Sequence, residues 1–193
     1  MKVLAFADSH DEGDYYEALK KKAKRSDIIL CAGDFTVFEH NMEKIIKDLS
    51  KLGKIVYLIH GNHEIASHVA KECKNYKNIR FIHKKIFRIG EVTIFGYGGG
   101  GFSYRDNDFE DFIKKNKDKF SKKNILLTHA PPYGTVADNI HGEHVGSKSI
   151  TKVLKHFNLS VSGHIHETFN KKEIINKKTL VLNPGPKGKV ILL

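Results

Sequence analysis

Short apolar runs and amphipathic stretches alternate along this chain with enough regularity to predict its elements. Residues 2–7 (KVLAFA) form an apolar run of strand length, and residues 15–23 (YYEALKKKA) space Tyr16, Leu19 and Ala23 at helical intervals. A second strand is predicted over DIILCA, followed by a helix through Met42, Ile45, Ile46 and Leu49. A third is predicted over KIVYLIH, followed by a helix over residues 65–73. Strands alternating with helices at this spacing imply parallel βαβ units whose sheet is covered on both faces.

The second half is richer in strands. IFRIG and EVTIFGY read as a pair turning at Gly90-Glu91, and a helix is predicted from about Asp108 to Phe120. NILLTHA is a further buried strand, and a helix over residues 147–157 leads to LSVSG. KEIIN, TLVLN and KVILL complete the set, with Asn183 to Pro186 (NPGP) as a rigid turn between the last two. Two packed sheets with helices outside, in one domain over residues 1–193, would bury all these faces.

Composition and charge narrow the setting. With 193 residues, 40% hydrophobic and 28% charged, the chain suits one well-filled core. The N-terminal apolar run stops at Asp8, too short for a signal segment or a membrane span, so a cytoplasmic protein without a membrane partner is expected. Cys31 and Cys73 lack CxxC spacing and read as reduced core thiols. The net charge of +11 favours anionic partners. Nearly all of it is scattered lysine, with only four arginines, which suits solvated surface better than base readout. A small phosphate ester is therefore favoured over nucleic acid, and nothing signals an oligomer.

The polar residues that carry chemistry fall where the predicted strands end. Asp8 and His10 follow the first strand, Asp34 the second, Asn62 and His63 the third, His129 the ILLT run, and His164 and His166 the LSVSG run. Ligands in open α/β sheets gather beyond the carboxyl ends of strands. Carboxylate, imidazole and amide oxygen make a mixed set suited to manganese, iron, zinc or nickel. In Asp8-Ser9-His10 and His164-Ile165-His166, extended backbone would turn both side chains of each pair toward one ion.

At these positions the chain resembles the calcineurin-like metallophosphoesterases. The matching pieces, in the family's order, are DSH at residues 8–10, GD at Gly33-Asp34, GNHE at Gly61 to Glu64, THA around His129 and GHIH at Gly163 to His166. The resemblance implies a four-layer αββα sandwich with two mixed sheets, and a dinuclear centre holding two divalent ions, manganese foremost. It implies that Asp8, His10 and His166 hold one ion, that Asn62, His129 and His164 hold the other, and that Asp34 bridges them. This divides the last pair between ions, against the simpler geometry above. His63 would lie beside the substrate phosphate with Asn62, and two cations would acidify a bridging water and neutralise charge during an in-line displacement. A protonated His63 could serve the leaving oxygen.

Departures from the family bear on the substrate. Members acting on phosphoproteins read GDxxDRG, whereas here the stretch is GDFTVFE, with Val37 and Phe38 in place of the Asp and Arg. The resemblance is therefore to the small phosphodiesterase branch, and no partner that orients His63 is identified. His144, in the loop after His129, is a further candidate for substrate contact. Gly98 to Gly101 could cradle an anion, although a flexible turn is the simpler reading without a phosphate-loop lysine. Arg105 reads as a surface ion pair. The function implied is metal-dependent hydrolysis of phosphodiester or phosphomonoester bonds. The alternatives are a nuclease, or a non-catalytic scaffold on the same fold, which would have no need of the complete ligand set.

Overall fold

Strand β1 (Lys2–Phe6) faces two different interiors, which is why its sequence is apolar from Val3 to Phe6. Leu4 and Phe6 join one buried cluster, Val3 and Ala5 another. The structure is a computed structural model that describes residues 1–11 and 13–193. Helix α1 (Tyr15–Ala23) carries the chain to β2 (Ile28–Cys31), α2 (Met42–Ser50) to β3 (Ile55–Leu58), and α3 (Ala66–Cys73) to β4 (Ile79–Phe81). These four strands are parallel, as the βαβ pattern predicts. Leu19, Ile45, Ile46, Leu49 and Val69 of the helices cover Leu4, Phe6, Ile29 and Leu58 of the sheet. Each fully buried side chain of this size contributes roughly 1.5–3 kcal/mol.

A second sheet begins with the hairpin of β5 (Lys85–Ile89) and β6 (Val92–Tyr97). Helix α4 (Asn107–Lys115) leads to β7 (Lys123–Thr128), parallel to β6. The two-residue strands β8 (Asn139–Ile140) and β9 (Glu143–His144) form a small hairpin, and α5 (Lys148–Val153) follows. Strand β10 (Leu159–Val161) lies between β7 and β12 (Thr179–Leu182), parallel to both, and β11 (Lys172–Ile175) forms the antiparallel edge. The last strand, β13 (Lys189–Leu192), returns to the first sheet, antiparallel to β1.

Between the sheets, Val3, Ala5, Leu30, Tyr57 and Ile59 meet Ile94, Ile125, Leu127, Leu159 and Val161. Outside the second sheet, Phe109 and Phe112 of α4 and Ile150 of α5 cover Phe95, Leu126 and Val181. Helix, sheet, sheet and helix thus make the expected four-layer αββα sandwich with two mixed sheets. No helix among the described residues is long and apolar enough to cross a membrane.

Several boundaries differ from the sequence expectation. The helix expected to Phe120 stops at Lys115, because the Asn116 side chain turns back to donate to Phe112 O at 2.8 Å, and a 3-10 turn follows over Lys117–Lys119. The helix expected to Phe157 also ends early, at Val153. There the Thr179 hydroxyl lies 2.8 Å from both Leu154 O and Phe157 O, a tertiary contact invisible in local periodicity. Strand β4 and the β8/β9 hairpin escaped the pattern because each strand is only two or three residues long. The NPGP segment lies between the last two strands, as expected, and carries the chain from one sheet to the other. Its Asn183 is buried, and its side-chain amide donates to Ile165 O and Thr168 Oγ1, both at 2.9 Å, tying the tail to the loop after β10.

Candidate metal centre

Five loops deliver the predicted side chains beyond the carboxyl ends of β1, β2, β3, β7 and β10, and they converge. Asp8, His10 and His166 form one group and Asp34, His129 and His164 another, with one ligand-type atom from each member within 4.8 Å of the others in its group. His164 and His166, separated only by Ile165, stand in different groups.

The backbone that accomplishes this is not extended, contrary to the simple expectation. Asp8, His10, Asp34 and His164 all have left-handed φ values, of 54°, 47°, 49° and 73°. Such residues cost of order 1–3 kcal/mol each and persist where surrounding contacts over-determine them. Those contacts are present. The Asp8 carboxylate accepts the His164 N–H at 3.0 and 3.1 Å, the Asp8 N–H donates to Gly33 O at 3.1 Å, and the His10 N–H donates to Asp34 O at 3.2 Å.

Two of the imidazoles, His10 and His129, are held through Nδ1 by backbone carbonyls. Nδ1 of His10 lies 3.0 Å from Thr36 O, and Nδ1 of His129 lies 2.8 Å from Ala32 O. A proton on each Nδ1 satisfies these carbonyls and leaves Nε2 for the site. Nε2 of His10 faces Nε2 of His166 at 3.3 Å. Nε2 of His164 is buried with no hydrogen-bond partner among the described residues. Nε2 of His129 lies 2.9 Å from Asn62 Oδ1 and 3.3 Å from Asp34 Oδ2. Facing nitrogens, an orphaned buried nitrogen and converging oxygens are a donor set that two divalent cations would satisfy.

Electrostatics support this. Burial would raise the Asp34 carboxyl, but the hydrogen bond and charge of His129, with the His63 N–H, bring it down to about 2. Burial would lower His129, yet Asp34 beside it, helped by Asp8, holds it at about 8. His164 is pushed down to about 4 by burial first and by the His129 charge next. Burial raises Asp8 despite the His129 charge and the His164 N–H. The centre thus holds concentrated ionisable groups in mutual tension, as functional sites do.

Glu64 is the residue that sequence reasoning passed over. It is buried, with one oxygen accepting Asp34 N–H at 3.1 Å and Gly61 N–H at 2.8 Å, the other accepting Thr36 N–H and Oγ1 at 2.9 Å. It therefore staples the Gly33-Asp34 loop to the Gly61 loop. Its place at the end of GNHE was the available signal. Gly61 is required by the same closeness, since a Cβ there would overlap the Asp34 carboxylate.

His63 is held at the edge of the centre. Its backbone N–H donates to Asp34 Oδ1 at 3.0 Å, and its Nδ1 accepts the Phe38 N–H at 3.4 Å. Its ring packs edge-on against His10 at 4.8 Å and tilted against Phe38 at 4.5 Å. The partner absent from the sequence pattern is thus a main-chain amide, which no side-chain motif could reveal. His144 lies in the β9 hairpin, half-buried, with Nδ1 2.7 Å from Asp138 Oδ1 and its ring beside Tyr133. The glycine run packs closely on a neighbour, because a Cβ on Gly98 would meet the His60 ring at 2.6 Å and the His60 carbonyl at 2.7 Å. Arg105 pairs with Glu110 on the surface at 3.8 Å.

Comparisons with known proteins bear on the fold and the family. An uncharacterised protein of Methanocaldococcus jannaschii is 32% identical over 97% of this chain and 89% of its own length. Among solved structures, TT1561 of Thermus thermophilus superposes with a TM-score of 0.75 at 18% identity, covering 96% of this chain and 90% of that one. A dimetal phosphatase from Danio rerio superposes with a TM-score of 0.60 at 10% identity, covering 94% and 86%. The family description "Calcineurin-like phosphoesterase" matches residues 1–168, a span that includes every one of the five converging loops. With fold, loop order and sequence match in agreement, the chain belongs to the calcineurin-like phosphoesterase family.

Proposed function

We propose that this chain is a metal-dependent phosphoesterase that hydrolyses phosphodiester or phosphomonoester bonds of a small substrate at a dinuclear centre. The observation that carries this reading is the presence of two ligand groups, Asp8/His10/His166 and Asp34/His129/His164, the second of which includes the orphaned nitrogen His164 Nε2. In this assignment Asp8, His10 and His166 would hold one ion, Asn62, His129 and His164 would hold the other, and Asp34 would contribute to both. Divalent cations held there, manganese foremost with iron, zinc or nickel also suited to the donors, supply charge neutralisation at the phosphoryl oxygens and acidify water.

The chain's own residues do the rest. With Nδ1 accepting the Phe38 N–H, Nε2 is the His63 nitrogen assigned to hydrogen-bond a leaving oxygen or a phosphoryl oxygen; giving a proton to the leaving oxygen requires the doubly protonated ring, in which Nδ1 no longer accepts from Phe38. Asp34 ties that histidine to the centre, since Oδ1 accepts the His63 N–H while Oδ2 faces His129. Asn62 contributes a neutral oxygen, which adds no further negative charge to repel a phosphate.

The test is turnover by the manganese-loaded protein on bis-p-nitrophenyl phosphate, p-nitrophenyl phosphate, a cyclic nucleotide and single-stranded DNA, with Asp34→Asn as control. Metal-dependent hydrolysis of a small ester, lost in Asp34→Asn, supports the proposal. Cleavage of DNA alone would make the chain a nuclease, and hydrolysis of none of the four would point to a scaffold.

A further inference from the structure

Of the 12 phenylalanines in this chain, only Phe38 and Phe102 are exposed, and both rest on imidazoles of the candidate metal centre. Phe38 is 78% exposed, with its ring centroid 4.5 Å from that of His63. Phe102 is 63% exposed and 4.7 Å from His164. The other ten are buried or half-buried. Leaving a phenylalanine in water forfeits the gain available from burying it, so two such rings at one polar site call for an explanation beyond packing. Each shields an imidazole with part of its surface and leaves most of the ring to solvent.

Their loops hold them there. Phe38 lies four residues past Asp34, its backbone left-handed at φ 46° and its N–H donated to His63. Phe102 directly follows the glycine run, which is itself packed on His60. Tyr104, also exposed, lies two residues on in the same loop, fixed by Tyr133 at 5.6 Å and by the Lys148 ammonium 5.0 Å from its ring. Both loops therefore present flat apolar surface beside groups suited to a phosphoryl oxygen, on a chain of net charge +11.

We propose that Phe38 and Phe102 form an aromatic platform at the rim of the metal centre, and that the substrate is a small phosphoester carrying a planar aromatic group of the nucleobase kind. Flat rings recognise bases by stacking, which tolerates any base because each has a π-face and contributes roughly five- to hundredfold in affinity per base. This rests on the phosphoesterase reading above, naming its substrate class.

The experiment compares AMP with ribose 5-phosphate, which shares its phosphate and sugar but lacks the base. Binding of each to the manganese-loaded protein is measured by titration calorimetry, in wild type and in the Phe38→Leu/Phe102→Leu double variant. Leucine keeps apolar bulk at these exposed positions and removes the flat ring. The expected result is at least tenfold tighter binding of AMP in wild type, with that ratio falling at least fivefold in the double variant. Equal binding of the two ligands, a ratio unchanged in the variant, or binding of neither would overturn the platform. Manganese-dependent hydrolysis of bis-p-nitrophenyl phosphate is scored in parallel. If it persists, only the substrate class has failed; if it is absent too, the phosphoesterase reading falls with it.

Discussion

Nε2 of His129 lies 2.9 Å from the Asn62 amide oxygen and 3.3 Å from Asp34 Oδ2, so in the metal-free protein a proton on that nitrogen stands where a cation would bind. His129 is held at about 8 and Asp34 at about 2, so at neutral pH that proton is present and its partner is charged. Metal and proton then compete. Manganese affinity should rise with pH up to about 8 and level off above it. Calorimetry at pH 7 in two buffers of different ionisation enthalpy should report release of close to one proton from His129, and a pH-independent affinity without proton release would contradict this.

The same pair gives the metal-free protein a pH-dependent stability of definite sign. His129 binds its proton more tightly folded than unfolded, so its contribution is fully present below the ordinary histidine value of about 6.5 and is lost as pH rises through about 8. His60 and His164 act oppositely. Burial holds both at about 4, so their contribution is present above about 6.5 and is lost as pH falls through about 4. The thermal midpoint of metal-free protein should therefore peak near pH 6–7, and a midpoint rising steadily from pH 6.5 to 9 would refute the His129 contribution.

His63 is assigned to proton donation and not to metal binding. His63→Ala should keep both metals, by elemental analysis, while kcat falls about 10²–10⁴-fold. Unchanged turnover in a metal-replete variant would remove His63 from the chemistry.

Glu64 accepts four hydrogen bonds from two loops. Glu64→Gln sets an amide NH₂ against backbone N–H donors, which should cost about 1–3 kcal/mol and lower Tm by roughly 2–10 °C. Metal affinity should fall with it, since Asp34 depends on that staple. A variant as stable as wild type would show that the loops are held by other means.

Gly98→Ala places a methyl against the His60 ring and carbonyl. Overpacking of this kind should cost about 1–3 kcal/mol, measurable in urea unfolding. An unaltered midpoint would mean that the loop shifts freely.

The parallel strands β1, β2 and β3 were legible because burial on both faces makes them continuous apolar runs, and the ligand-type residues were legible because they stand at those strand ends. Part of what escaped was set by tertiary contact. The Thr179 hydroxyl ends the 3-10 turn after α5, and the Phe38 main-chain amide takes the role sought among side chains for His63. The division of His164 from His166 ran against a two-residue period, because His164 is left-handed where the period assumes extended backbone. The resemblance implies different ions for the two, and local periodicity implies one; the two side chains stand in different ligand groups.

The most direct test is a manganese-bound crystal structure with anomalous scattering recorded at the manganese edge. Two ions are predicted, one contacted by Asp8, His10 and His166 and the other by Asn62, His129 and His164, with Asp34 touching both. A single ion contacted by both His164 and His166, or no ion on either, would contradict the dinuclear assignment.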